Sequence, residues 1–149
     1  MNQELVTYIV LGSNQRLKDL KIPSSTKMEE FLLTNFNKKS QIEKSIDNLD
    51  FLYKAGTRWI QLTYNQRNLL GDGCTERTNA GLSDFGVDAV KKMNDLGIMV
   101  DVSHCGRKTT DDAIKYSETG VSINHSMCEA LYKNHPRAKT DNQLKAMSD

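Results

Sequence analysis

The 149-residue sequence has few cysteines, only two prolines and no long apolar run. Its three cysteines are odd in number and form no Cys-x-x-Cys pair, which argues against a disulfide framework and a cysteine-only zinc site. No apolar run approaches the roughly 18–20 residues of a membrane-spanning helix. The net charge of +1 gives no reason to expect a nucleic acid or a membrane surface as a partner. The first twelve residues lack the basic start of a signal peptide, so we predict a cytoplasmic protein.

Short apolar runs alternate with helical periodicity from residue 31 onward. The predicted strands are 31–36, 58–64, 98–104 and 121–125. Runs this apolar, separated by helices, predict an α/β fold with a parallel sheet and right-handed crossovers. We expect residues 1–149 to form a single structural unit. Residues 1–30 are poorly assigned, and the segment 4–11 fits either a helix or a strand.

Capping signals mark where the helices between these strands begin. Ser40 precedes a helix that Gly56 ends, and Ser83 precedes one that Gly97 ends. A third helix is predicted over 109–120. Two further capping boxes, Ser126 with Glu129 and Thr140 with Gln143, predict two short helices near the end of the chain.

Polar residues stand at the carboxyl ends of the predicted strands, where parallel α/β folds bind their ligands. These residues are Asn37, Tyr64, His104 and His125. Two of the three histidines of the chain therefore lie on one face of the sheet. Neutral imidazole is a common zinc ligand, and two imidazoles on neighbouring strands could share one ion. Spacing alone leaves the alternative that each histidine is an ordinary loop residue bonded to the backbone.

Several separate blocks of sequence, in the right order and spacing, resemble the membrane (renal) dipeptidase family of zinc peptidases. They are "AGTRWIQLTYNQRNLLGDGCTERTNAGLSDFGVDAVKKMNDLGIMVDVSHCG", "INHSMCEAL" and "HPRAKTDNQLKAM". The resemblance covers residues 31–149 and is strongest from 55 to 137. It implies a (β/α)8 TIM barrel whose two zinc ions activate a hydroxide that hydrolyses dipeptides.

The resemblance also implies roles for individual residues. His104 and His125 match the two histidine ligands of the second zinc ion, and Arg137 matches the arginine that binds the substrate carboxylate. Tyr64 stands where many members carry a histidine that stabilises the transition state; a phenol can also donate a hydrogen bond there. Asp101 is interpreted either as structural or as a residue that supports the metal ligands without binding the metal, because strand alternation points it away from the side of Val102 and His104.

The chain also departs from the family pattern. No His-x-Asp ligand pair occurs in the sequence, and Asn37 occupies the position of the glutamate that bridges both metals. The late aspartate ligand would lie beyond Asp149. A barrel needs about 250 residues, so we interpret the chain as an internal fragment of about four strand–helix units. We expect it to hold one zinc ion or none and to be inactive alone. Its exposed barrel edges would favour a homo-oligomer.

Three hypotheses for function follow. The first is a zinc-dependent dipeptidase acting on dipeptide substrates, here with an incomplete ligand set. The alternative is a non-catalytic or degenerate dipeptidase-like scaffold that binds at most one metal. A third, a cysteine hydrolase using Cys105 or Cys74, is disfavoured because Cys105 adjoins His104 and would face the other way. In the long loop 65–81, side chains such as Asn65, Arg67, Asn68 and Asp72 either line the pocket or shape a solvated loop.

Overall fold

Four parallel strands form one sheet in the computed structural model, which describes residues 7–10, 45–54 and 56–148. The strands are β1 (Thr7–Val10), β2 (Thr57–Gln61), β3 (Met99–Asp101) and β4 (Val121–Ser122), and they lie side by side in that order. All three pairings are parallel. The predicted α/β class with a parallel sheet is therefore confirmed, and such a sheet with intervening helices fits part of a (β/α) barrel.

The first strand of the sheet comes from the segment that fitted either a helix or a strand. Residues 7–10 pair with β2, so this segment is a strand. The predicted strand 31–36 and its terminal residue Asn37 lie outside the described residues. The other three predicted strands are present but shorter than expected. β2 ends before Tyr64, β3 ends before His104, and β4 ends before His125.

The described helices are α1 (Asn48–Lys54), α2 (Asp84–Leu96), α3 (Arg107–Tyr116) and α4 (Asp141–Ala146). Helix α2 begins and ends as predicted, because the Ser83 hydroxyl accepts a bond from the Gly86 amide and Gly97 has a left-handed φ of 73°. The capping box of Thr140 and Gln143 is also formed. Within the described residues, no helix is both long and apolar enough to cross a membrane.

The short helix predicted from Ser126 and Glu129 is wrong. Turns occupy this segment instead. The Ser126 hydroxyl donates to the Arg137 carbonyl at 2.5 Å, and Glu129 forms an ion pair with Arg107. Both residues of the expected capping box are thus engaged in contacts with distant parts of the chain. Tertiary contacts outweigh the local signal here.

The two faces of the sheet differ in character because side chains alternate along each strand. On one face, strand residues pack with the helices into a single hydrophobic core. Its members in β2 and β3 are Ile60 and Val100, Leu62 and Val102 follow directly after these strands, and its helix members include Leu49, Leu52, Ala89, Val90, Met93 and Ala113. On the other face Gln61 and Asp101 are register partners, and both are fully buried. Buried polar side chains therefore lie directly below the carboxyl ends of the strands.

Candidate active site

Three of the residues singled out from the sequence lie together beyond the carboxyl ends of β2, β3 and β4. The ring of Tyr64 stacks on the ring of His104, with centroids 4.3 Å apart and planes 22° from parallel. The centroids of His104 and His125 are 4.8 Å apart, with planes tilted by 55°. The two imidazoles thus converge on one rim of the sheet, as their positions at neighbouring strand ends predicted.

His104 is buried and fixed by bonds at both its ring and its backbone. Only 4% of the residue is exposed. Its Nδ1 lies 2.7 Å from Oδ1 of Asn65, and its carbonyl accepts the Cys74 amide at 2.9 Å. Burial, followed by the positive charge of Arg137, lowers the pKa of His104 to about 4. The imidazole is therefore neutral at pH 7, the state in which histidine binds metals.

His125 is exposed, and its position is set through the backbone. Its amide donates to the Ser103 hydroxyl at 3.2 Å, and the preceding Asn124 amide donates to the same oxygen at 2.9 Å. The Ser103 hydroxyl in turn donates to Asp101 at 2.5 Å, and the Asn124 side chain donates to the other Asp101 oxygen at 3.0 Å. Asp101 thus connects the ends of β3 and β4.

Arg137 reaches the same rim from the segment before α4. Its Nη2 donates to the His125 carbonyl at 2.6 Å. Its Nε is buried and has no hydrogen-bond partner among the described residues. A buried guanidinium donor without an acceptor is costly, and a carboxylate is the acceptor that matches its planar geometry.

The long loop 65–81 combines both of the roles considered for it. Asn65 faces the site through its contact with His104. Arg67 and Asp72 instead form an ion pair with a 2.5 Å contact, and the buried Asp72 also accepts the Ala80 amide. The hydrogen bond from Arg67 lowers the pKa of Asp72 below its usual value. The side-chain oxygen of Asn68 accepts the backbone amides of Leu70 and Gly71. Asn65 is therefore the loop residue whose side chain hydrogen-bonds the ring of one of the paired histidines.

The described residues fit a metal ion in part. No group of three His, Cys, Asp or Glu side chains in the described ranges could hold an ion together. The ring centroids of the two imidazoles are, however, 4.8 Å apart, which is close enough for both rings to reach one zinc ion through bonds of about 2.0–2.1 Å. The pair therefore suits two positions of a coordination sphere. Asn37, the position matched to the bridging glutamate, lies outside the described residues.

The thiols of Cys74 and Cys105 are poorly suited to nucleophilic catalysis. Cys105 is 1% exposed, and burial raises the pKa of its thiol. Burial also raises the pKa of Cys74. Both side chains are therefore protonated at neutral pH, whereas a nucleophilic cysteine reacts as the thiolate.

Sequence reasoning missed one residue next to the site. Lys139 is 2% exposed, and its ammonium donates to the Cys105 carbonyl at 3.1 Å and to the Thr110 hydroxyl at 2.8 Å. Burial lowers the pKa of this lysine. These bonds attach the segment of Arg137 to the turn that carries His104. A lysine in a polar segment is ordinarily predicted to be exposed, so no local signal indicates this contact.

Comparison with known proteins relates the chain to one family of peptidases. The model of the membrane dipeptidase family, peptidase family M19, matches residues 19–149. A dipeptidase from Clonostachys rogersoniana, verJ, is 36% identical over 106 residues, which are 70% of this chain and 27% of that protein. The chain thus spans about a quarter of the length of this curated relative.

Solved structures agree with the sequence comparison. An amidohydrolase from Pseudomonas aeruginosa aligns with a TM-score of 0.68 at 41% identity, over 72% of this chain and 33% of its own. A metallopeptidase from Rhodobacter sphaeroides, crystallised with a phosphinate mimic of the dipeptide L-Ala-D-Ala, aligns with a TM-score of 0.61 at 27% identity. That alignment covers 68% of this chain and 30% of the other.

Proposed function

The chain belongs to the membrane dipeptidase family, peptidase family M19, and from that premise we propose that its paired histidines and Arg137 form part of a zinc-dependent dipeptidase site. The family is one of metallopeptidases that act on dipeptides. The single observation that carries the proposal is the convergence of His104 and His125, with ring centroids 4.8 Å apart, beside a guanidinium with a buried free donor.

His104 and His125 would hold the metal ion. The neutral state of His104 leaves an imidazole lone pair for coordination, and zinc accepts such nitrogen ligands readily. The chemistry that zinc supplies when bound is Lewis-acid polarisation of a peptide carbonyl and acidification of water. The residues of the chain do the remaining work of orienting the substrate.

Arg137 would bind the free carboxylate of a dipeptide. Its Nη2 already donates to the His125 carbonyl, which holds the guanidinium at the rim. The unpartnered Nε gives it a donor to offer a carboxylate oxygen in a charge-assisted bond. The same bond to His125 ties the carboxylate position to the metal position, which suits a substrate with only one residue beyond the scissile bond.

Tyr64 would act on the carbonyl side of the substrate. Its ring is stacked on His104, so its phenol belongs to the same rim. A phenol hydroxyl can donate a hydrogen bond to an oxygen that gains negative charge in the transition state. We assign Tyr64 both a catalytic and a substrate-binding role on this basis.

One observation favours the alternative of a scaffold that binds at most one metal without catalysis. No third His, Cys, Asp or Glu side chain joins the histidine pair in the part of the chain that the structure describes. The amide of Asn37, at the position matched to the bridging carboxylate, would add no negative charge. We therefore propose a stoichiometry of one zinc ion per chain.

Zinc binding tests the metal part of the proposal. We expect the 149-residue chain to bind one equivalent of zinc in a calorimetric titration, and His104→Ala or His125→Ala to weaken binding at least tenfold. His135→Ala is the matched control, since the ring of this third histidine accepts the backbone amide of Arg137 and lies edge-on to the Tyr132 ring. Equal affinities for all three variants would refute the proposed site.

Paired ligands test the role of Arg137. We expect Gly-Leu to bind the zinc-loaded chain more tightly than its C-terminal amide, and Arg137→Lys to reduce this preference, because lysine lacks the planar fork. Loss of zinc binding in the same variant would show a structural role instead.

Zinc-dependent hydrolysis of Gly-Leu by the isolated chain decides between the two hypotheses: turnover supports the enzyme, and binding without turnover supports the scaffold.

Some expectations about the setting of the chain stay predictions. They are the single structural unit over 1–149, the cytoplasmic location and self-association through the edges of the sheet. Size-exclusion chromatography with light scattering of the full chain tests the last of them.

A further inference from the structure

We propose that Asn65 is a positioning residue that fixes the proton of His104 on Nδ1 and so presents Nε2 as the atom that binds metal. The metal-facing half of this inference rests on the proposed function. The assignment of the proton concerns the metal-free chain and stands by itself.

The contact between the two side chains assigns the proton. Oδ1 of Asn65 lies 2.7 Å from Nδ1 of His104. An amide oxygen only accepts hydrogen bonds, so Nδ1 must be the nitrogen that carries the hydrogen. The Cys74 thiol also approaches this oxygen, at 3.5 Å. Two donors therefore converge on Oδ1, and the remaining ring nitrogen of the neutral imidazole keeps its lone pair.

Asn65 is itself held rigidly in place. It adopts a left-handed backbone with φ of 61°, a conformation that asparagine and glycine tolerate better than other residues. Its carbonyl accepts both the Thr75 amide at 2.9 Å and the Thr75 hydroxyl at 2.7 Å. Gly73 packs so tightly here that a Cβ on it would lie 2.1 Å from the Asn65 carbonyl oxygen. The loop thus closes around Asn65 and aims its amide at His104.

This arrangement opposes the intrinsic preference of the ring. A free neutral imidazole in water favours the proton on Nε2, which would remove that atom as a ligand. A hydrogen-bond partner that fixes the tautomer of a metal-binding histidine typically changes metal affinity 10–100-fold when it is lost. Asn65 therefore acts on the metal through His104.

Two substitutions separate the side chain from the backbone. Asn65→Gly removes the amide and keeps the left-handed backbone, whereas Asn65→Asp keeps an acceptor oxygen. Asn134→Gly is the matched control, since Asn134 has nearly the same φ of 63° and is exposed. The readout is the pair of ring nitrogen shifts of His104 in 15N-histidine NMR spectra of the metal-free chain at pH 7, together with zinc affinity.

We expect the proton on Nδ1 in the wild type, in Asn65→Asp and in Asn134→Gly, and mainly on Nε2 in Asn65→Gly. Zinc affinity should fall 10–100-fold in Asn65→Gly alone. A wild-type proton on Nε2, or an unchanged tautomer in Asn65→Gly, would overturn the inference. If no variant binds zinc, the proposed function fails and the metal-facing half fails with it, while the NMR result still decides the proton assignment.

Discussion

Replacing Ser103 with alanine should break the polar junction between the ends of β3 and β4. The Ser103 hydroxyl is fully buried and makes three hydrogen bonds: it donates to Asp101 and accepts the amides of Asn124 and His125. Ser103→Ala removes all three and leaves two backbone donors without this acceptor. The Asp101 carboxylate keeps its bonds from the residue 103 amide and from the Asn124 side chain.

The expected loss of stability follows from these partners. A neutral hydrogen bond contributes about 0.5–1.5 kcal/mol net, and one to a charged group about 1.5–3 kcal/mol. Asn124 and His125 are exposed, so water can replace part of what their amides lose. We therefore expect Ser103→Ala to lower the free energy of unfolding by about 2–3 kcal/mol, near the upper end of typical single substitutions.

Urea denaturation measures this loss, with the fluorescence of Trp59, the only tryptophan in the chain, as the probe. Ser148→Ala is the control, because its exposed hydroxyl bonds only the nearby Lys145 carbonyl. We expect it to change the free energy of unfolding by less than about 0.5 kcal/mol. If Ser103→Ala is no more destabilising than Ser148→Ala, the junction does not hold the two strand ends together.

Two further substitutions test the loop that carries Asn65. Asp72→Asn should lower the free energy of unfolding at pH 7 by about 1–2 kcal/mol, because it removes the charge that pairs with the partly exposed Arg67. The lowered pKa of Asp72 means that its contribution is present above about pH 4 and is lost as the pH falls below that value. Acid titration of stability should therefore be flatter in Asp72→Asn, and an equal slope in both proteins would contradict the assignment. Gly73→Ala should lower the free energy of unfolding by about 1–3 kcal/mol and weaken zinc binding, since its methyl group would overlap the Asn65 carbonyl. An unchanged urea denaturation curve and an unchanged zinc affinity would show that the loop tolerates the methyl group.

The sequence predicted best those features whose causes are local. Helix α2 is bounded by a serine cap and a left-handed glycine, and both signals lie next to the helix itself. The short apolar runs between the helical segments predicted β2, β3 and β4 for the same reason. Polar residues at their carboxyl ends then indicated the site, because the geometry of parallel sheets brings those ends to one rim.

Features set by distant contacts were not predictable in this way. Ser126 and Glu129 carry a helix signal, yet their partners Arg137 and Arg107 lie far along the chain. Lys139 is buried by a contact with the His104 turn that no periodicity encodes. Asn65 was considered as one of several pocket residues, and only its 2.7 Å contact with His104 distinguishes it from its neighbours.

X-ray absorption spectroscopy of the chain loaded with one equivalent of zinc shows directly whether His104 and His125 share one ion. We predict two imidazole ligands on the ion, with zinc–nitrogen distances of about 2.0–2.1 Å. One of the two should disappear in His104→Ala and one in His125→Ala, while His135→Ala keeps both. A zinc ion with no imidazole ligand, or with an unchanged spectrum in the two site variants, would contradict this prediction.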